Sequence, residues 1–397
     1  VVCCRGGEDM SKPLEGIRVL ELAGLAPAPY CGMILADFGA TVVRVDRPNK
    51  PSMDTLSRGK RSVALDLKKP GGIACLKELC KTADVLIEPF RAGVMEKLGL
   101  DPQSVLIEQV NRRLIVARLT GFGQKGPLAP RAGHDINYIA IAGALGVIGR
   151  AGRPPLFPIN VLGDFAGGGL MCALGVVMAL HQRQRTGRGQ VVDCAMIDGA
   201  AYINSFAHSS PVFTQERGRN MLDSGAFFYE CYETADGKYM SVGAIEPHFY
   251  AKFVQLLGIA DHPGLAGQFD TEQWEAMKAL VAEQFRKKSQ AEWTEIFGHT
   301  DACVQPILEG DDLYKHPHVR ERKMFFQETD SGATMPAPAP RLSAMANGVM
   351  GAAVHPTGRR PEVGEHTKAV LEEAGLSKEA VDALIASGVA HAPSASL

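Results

Sequence analysis

Short apolar runs alternate with helical runs over the first half of the chain, and this rhythm restricts the fold more than any other feature. Residues 17–22, 41–46, 62–67, 84–88, 114–119 and 190–195 read as strands. Helical runs at 29–38, stopped by Gly39, and at 72–82 separate them, with another ending near Gly187. Strand and helix in alternation with short connections predict a parallel sheet covered on both faces, an α/β domain. The first unit imitates a dinucleotide-binding turn, because Gly24 follows one strand and Asp46 ends the next. The turn itself reads Gly24-Leu25-Ala26-Pro27-Ala28-Pro29 and lacks the second and third glycines that admit a pyrophosphate, which disfavours a nicotinamide enzyme.

The pattern changes near residue 225. Residues 227–234 and 238–244 flank Ala235-Asp236-Gly237, a hairpin signal in which Asp-Gly supplies the positive φ angles of a tight turn. Helical runs follow at 248–257, 274–288 and 290–297, as in a smaller α+β domain. Residues 333–340 alternate proline with small side chains and read as an extended spacer. Two last helices are expected, one opened by Gly364-Glu365-His366-Thr367 and ended by Gly375, the other over 378–386. The expected organisation is a first part of the large domain over 10–200, a linker over 201–224 and a small domain over 225–325. A second linker over 326–345 and a return to the large domain over 346–397 complete it. At 397 residues two lobes are the natural outcome.

A net charge of −2 argues against nucleic acid or an anionic membrane as a global partner, so a polyanion would need a local basic cluster. Nine cysteines without a C-x-x-C pair suggest buried thiols, not a disulfide framework or zinc site, and no metal is expected. The longest apolar stretch, 165–180, is short for a membrane span and contains a glycine triplet. Val1 to Asp9 precede Met10 without pattern and are expected to lie outside the fold. The last residues, Ala395-Ser396-Leu397, approximate a peroxisomal address read by an import receptor, with a middle residue that is not basic.

Chemistry concentrates in Gly133-His134-Asp135-Ile136-Asn137-Tyr138 and Gly163-Asp164-Phe165-Ala166-Gly167-Gly168-Gly169. An imidazole and a carboxylate, each in a glycine-flanked turn, suit proton transfer to a closely approaching ligand. His134 also reads as an ordinary hydrogen-bonded loop histidine, and Asp164 as a helix N-cap. The glycine triplet is poor helix chemistry and reads as room for a ligand. Glu246, in Ile245-Glu246-Pro247, ends the second strand of the hairpin and locally reads as a surface carboxylate. Arg47, Arg58-Gly59-Lys60-Arg61 and Arg91 stand next to predicted strands and are candidate phosphate ligands or a solvated basic edge. The loop Gly121–Pro127 is glycine-rich but is not a Walker loop.

These strings, with Ala36-Asp37-Phe38-Gly39-Ala40 and Gly364-Glu365-His366-Thr367, resemble the family III CoA-transferases from Leu14 to about Val389, and within them the racemase branch. The resemblance implies an interlocked homodimer in which each chain has a Rossmann-like large domain and a small domain. The site then lies between the large domain of one subunit and the small domain of the other. It also implies epimerisation of (R)- and (S)-2-methylacyl-CoA thioesters without a cofactor, through His134, Asp164 and Glu246, with Glu246 orienting the imidazole. Arg47, Lys60, Arg61, the run Leu65-Asp66-Leu67-Lys68, Arg91 and the motif residues Gly133, Asp135, Ile136, Asn137 and Tyr138 are the expected coenzyme A contacts. Branched fatty acyl and bile acid intermediates, in peroxisomes and mitochondria, are the implied setting. The alternative is a true CoA-transferase in which Asp164 is a nucleophile. His134 weighs against it, because acyl transfer needs no imidazole beside the α-carbon.

Overall fold

The computed structural model describes residues 12–48, 50–328, 331–343 and 359–393. Six strands form a parallel sheet: β1 (Arg18–Leu22), β2 (Thr41–Asp46), β3 (Arg61–Leu65), β4 (Val85–Glu88), β5 (Ile115–Thr120) and β6 (Val191–Ala195). Each lies within a residue or two of its expected position. They run in the order β3-β2-β1-β4-β5-β6, so the direction of winding reverses between β1 and β4. Side chains alternate between faces, as a strand period of two requires. Leu20, Leu22, Val43 and Val45 join the core under the Pro70–Thr82 helix, whereas Val19, Val42, Ile87 and Ala117 join the core with Ala28, Cys31 and Cys172. Covered on both faces, β4 and β5 are buried along their whole length.

The open edge of β3 is closed by the Gly364–Thr367 motif. Ser62 N donates to His366 Nδ1 at 3.2 Å, Ala64 N donates to Thr367 Oγ1 at 3.0 Å, and Gly364 N donates to Ser62 Oγ at 2.8 Å. The Thr367–Glu373 and Lys378–Ala386 helices then lead to β12 (Ala390–His391, numbered in chain order), antiparallel to β3. Unpaired edge groups are thereby satisfied by side chains as well as by a short strand.

The chain divides into two compact units: one holds residues up to Ala142, Ile159–Ile203 and Arg322 onward; the other holds Gly143–Pro158 and Asn204–Glu321. The expected continuous stretch 10–200 is thus interrupted. Residues 143–158 belong with the second unit because Arg150 grips Glu230 through both carboxylate oxygens at 2.6 and 2.8 Å. Arg217 reinforces this by donating to the carbonyls of Gly146 and Arg153. The second unit has a three-stranded antiparallel sheet, β7 (Tyr229–Glu233), β8 (Tyr239–Gly243) and β9 (Val304–Pro306), with an aromatic core of Phe227, Phe228, Phe253, Phe285, Trp293 and Phe297. The hairpin turn takes its positive φ at Gly237 alone.

The proline-rich spacer contains structure. Thr334–Pro336 is β11 and pairs with β10, Phe325–Gln327. Arg58 holds this hairpin by donating to Pro336 O at 3.2 Å and lying 5.3 Å over the Phe326 ring, while its other nitrogens bind Asp37. The apolar run also differs from expectation. The Val161–Leu170 helix continues into Met171–Thr186 as one helix of 26 residues, and an 18-residue window within it has mean hydropathy 1.7; by length and composition it is long and apolar enough to cross a bilayer. Here it packs on β5, β6 and the Pro27–Asp37 and Met196–Ile203 helices. Cys31, Cys75, Cys80 and Cys172 are buried, while Cys231 and Cys303 are exposed. Residues 1–9 and the tripeptide 395–397 lie outside the described residues.

Buried charge ties the sheet together. Lys60 Nζ donates to Glu21 Oε2 at 2.7 Å and to Pro29 O at 2.8 Å, with both side chains fully buried. Gly32 makes room, since a Cβ there would meet Glu21 Oε2. Lys60→Met is expected to destabilise the chain by about 3–5 kcal/mol, because Glu21 would stay buried without its counter-charge. The Glu21→Leu/Lys60→Met double variant should recover most of that loss. Urea midpoints decide it: a single variant as stable as the parent contradicts this role.

Candidate active site

All loops that follow the parallel strands meet at one edge of the sheet, and there the first unit is hollow. A cleft of about 850 Å³ is lined by Arg47 and Lys50 after β2, Leu65, Asp66, Leu67 and Lys68 at the end of β3, and Arg91 after β4. A second cleft of about 290 Å³ shares Arg47, Phe90 and Arg91 with the first and reaches Phe122, Arg131, Gly133, Tyr138 and Met196. Arg47 and Arg91 are exposed, and among the described residues neither enters an ion pair. Asp66 Oδ1 accepts from Lys68 N at 3.0 Å, which shapes the turn beyond β3. Two expected cations are elsewhere. Lys60 is committed to Glu21, and Arg61, the first residue of β3, lies at the opposite edge of the sheet, bound to both oxygens of Glu373 at 2.7 and 2.8 Å. Strand direction explains the correction: a residue preceding a parallel strand faces away from the ligand-binding edge.

The 133–138 motif is a built corner. His134 caps the Asp135–Ile141 helix, and its N–H donates to Asn137 Oδ1 at 3.0 Å. Tyr138 turns back so that its hydroxyl donates to Gly133 O, and its ring fills the space where Gly121 and Gly133 lack a Cβ. Burial and the Asp164 charge raise the Tyr138 phenol. Gly133 and Tyr138 border the second cleft, whereas Ile136 and Asn137 are exposed on the helix and border neither. Asp135, expected at coenzyme A, points inward: it is buried, and its Oδ2 accepts from Gly163 N and Asp164 N, both at 2.6 Å. His134 remains exposed.

Asp164 stands in the first turn of the Val161–Leu170 helix. The N-cap is Asn160, not Asp164 as the sequence suggests, and Asn160 Nδ2 donates to Asp164 Oδ2 at 3.2 Å. The glycine triplet admits neighbouring helices and not a ligand. A Cβ on Gly167 would lie 2.6 Å from Ala200 N, and one on Gly169 would lie 2.6 Å from Pro27 O. Desolvation raises the Asp164 pKa above the ordinary carboxylate value; the Asn160 hydrogen bond opposes this, Asp135 adds to it and the His134 imidazole opposes it. The two candidate bases are therefore electrostatic neighbours.

In the second unit, Glu246 is exposed at the N-cap of the Pro247–Leu257 helix, shortly after β8. Gln268 Nε2 donates to Ile245 O at 2.7 Å and fixes the backbone beside it. Sequence reasoning missed Asn160 and Arg131; Met196 reads from sequence as an acyl contact or as core filler, and it borders the second cleft. Asn160 carries a legible signal, since it lies four positions before Asp164 on one helix.

Residues 14–367 match CoA-transferase family III. The chain belongs to that family. It is 51% identical over 371 residues to the alpha-methylacyl-CoA racemase of Mus musculus, covering 93% of this chain and 95% of the relative. Its identity to the alpha-methylacyl-CoA racemase of Homo sapiens is 50% over 372 residues, with the same coverage of each chain. Among solved structures, a CAIB/BAIF family protein from Brucella suis superimposes with a TM-score of 0.76 at 25% identity, covering 92% of this chain and 100% of that one.

The environment of Asp164 gives a signed prediction. Its carboxyl should titrate above the usual carboxylate range, and Asn160→Ala should raise it further by removing a donor that favours the charged form. Carboxyl-carbon NMR titration of both proteins measures this, and an unchanged or lowered value in the variant contradicts it.

Proposed function

We propose that this chain epimerises 2-methylacyl-CoA thioesters by two-base chemistry. The carrying observation is an exposed imidazole, His134, beside a carboxylate, Asp164, that its surroundings make more basic than usual. In one direction neutral His134 removes the α-proton, and the electron pair moves into the thioester carbonyl as an enolate. Protonated Asp164 then returns a proton to the opposite face. The reverse direction starts from the Asp164 carboxylate and the imidazolium, so no cofactor enters the proposed cycle. The role proposed for Glu246 is to hold one imidazole tautomer.

Arg47 and Arg91 are proposed to bind the coenzyme A phosphates along the shared wall of the two clefts. A homodimer is part of the reading. Ile141, Val161, Leu170, Val177, Met178 and Tyr202 leave apolar surface exposed on the first unit, which a second copy would cover. Branched fatty acyl-CoA and bile acid intermediate metabolism is the proposed setting. Peroxisomal import through Ala395-Ser396-Leu397 is proposed with it, alongside a mitochondrial pool. Family membership keeps CoA transfer as the second reading, with Asp164 attacking the acyl group.

One enantiomer of a 2-methylacyl-CoA, incubated with the protein in deuterium oxide without an acceptor acid, should epimerise and gain deuterium at the α-carbon. His134→Ala and Asp164→Ala should abolish this. Absence of exchange, with CoA transfer once a carboxylic acid is added, would sink the proposal. Arg47→Ala and Arg91→Ala should each raise KM for acyl-CoA about 10- to 100-fold, the scale of a charged hydrogen bond, with a smaller change in kcat. A KM unchanged in both variants removes them from the phosphate site.

A further inference from the structure

The side chain next to His134 is buried away from both clefts and yet holds the other base. Asp135 is 4% exposed, and its Oδ2 accepts the N–H groups of Gly163 and Asp164. These belong to the first turn of the Val161–Leu170 helix, where backbone donors have no partner within the helix. The N-cap residue does not serve them: Asn160 makes no side-chain cap hydrogen bond, and its Nδ2 is turned to Asp164 Oδ2 instead. The missing acceptor therefore comes from another helix, on the residue that follows the first base. Gly163 permits the approach, since a Cβ there would lie 2.6 Å from Asp135 Oδ2. The other oxygen, Oδ1, is buried without a hydrogen-bond partner among the described residues, a costly arrangement that calls for a functional return.

We propose that Asp135 is the positioning residue of the site, a charged clamp that joins the His134 backbone to the Asp164 backbone and sets the gap in which the α-carbon is held. This rests on the racemase reading and extends it. A displacement of about 1 Å at a reacting centre costs on the order of 100-fold in rate, so one clamp shared by both bases controls kcat without touching substrate. The clamp has an electrostatic side as well. The groups facing Asp164 are Asn160, His134, Asp135 and Tyr138, and the Asp135 charge helps to raise the Asp164 pKa.

The test uses the full chain and the epimerisation assay. Asp135→Asn keeps the shape and removes the charge. It should lower kcat on the order of 10- to 100-fold, leave KM for acyl-CoA within about twofold, and move the Asp164 limb of the pH profile to lower pH. Gly163→Ala strains the same contact with its charge intact, and should lower kcat similarly while the limb stays in place. Asp135→Glu should restore the charge and hence the limb, but not the full kcat. Folding of each variant is checked by circular dichroism and by affinity for coenzyme A, and amide hydrogen exchange at Gly163 and Asp164 should quicken in Asp135→Asn. If the parent epimerises and folded Asp135→Asn keeps the parental kcat and pH limb, the clamp is overturned and the racemase reading survives. If the parent does not epimerise, that reading fails first. If Asp135→Asn does not fold, Gly163→Ala decides: parental kcat overturns the clamp, and a loss at constant KM upholds it.

Discussion

A parallel sheet brings the chain back to the same edge after every crossover, and the first unit depends on that constraint. The turns after β2, β3 and β4 carry Arg47, Lys68 and Arg91 to one side, although these residues are scattered along the sequence. Because winding reverses between β1 and β4, the helices on the two faces diverge there and leave a crevice. The same rule sends Arg61 to the far edge, where it meets Glu373. Position relative to strand direction, more than charge, separates a candidate phosphate ligand from a structural ion pair.

The second constraint is the starting turn of a helix. The Val161–Leu170 helix begins with donors that need an acceptor and continues into glycines that let other helices touch its backbone. Asp135 supplies the acceptor, and with it a rigid link between the two candidate bases. Tyr138 and Asn137 fix the same corner from its other sides, so the polar residues of the motif serve structure while His134 stays exposed. Unlike groups in unlike environments are what proton transfer on two faces requires.

Much of this was legible in the residues, and the limits are physical. Strand and helix positions follow from apolar periodicity, a local property. The basic run Arg58-Gly59-Lys60-Arg61 reads as a phosphate site because its charge is visible, whereas its partners Asp37, Glu21 and Glu373 lie 21, 39 and 312 residues away. The glycine triplet shows that something comes close but not what, and Pro27, Met196 and Ala200 answer that only in three dimensions. Asp164 carries a capping signature, yet Asn160 occupies the N-cap position and the side-chain acceptor comes from Asp135, a residue 28 positions before Gly163. The 143–158 segment joins the second unit through Arg150 and Glu230, a pairing between distant residues without a local signal.

The central claim is that Asp164 meets the α-proton and not the acyl carbon. The most direct measurement follows a single enantiomer of 2-methylacyl-CoA deuterated at the α-carbon, in ordinary water, with enzyme in excess. The account predicts a primary isotope effect on appearance of the opposite enantiomer, hydrogen in place of deuterium in that product, and a thioester intact throughout. Release of free CoA with an acyl group bound to Asp164, and no isotope effect, would contradict it.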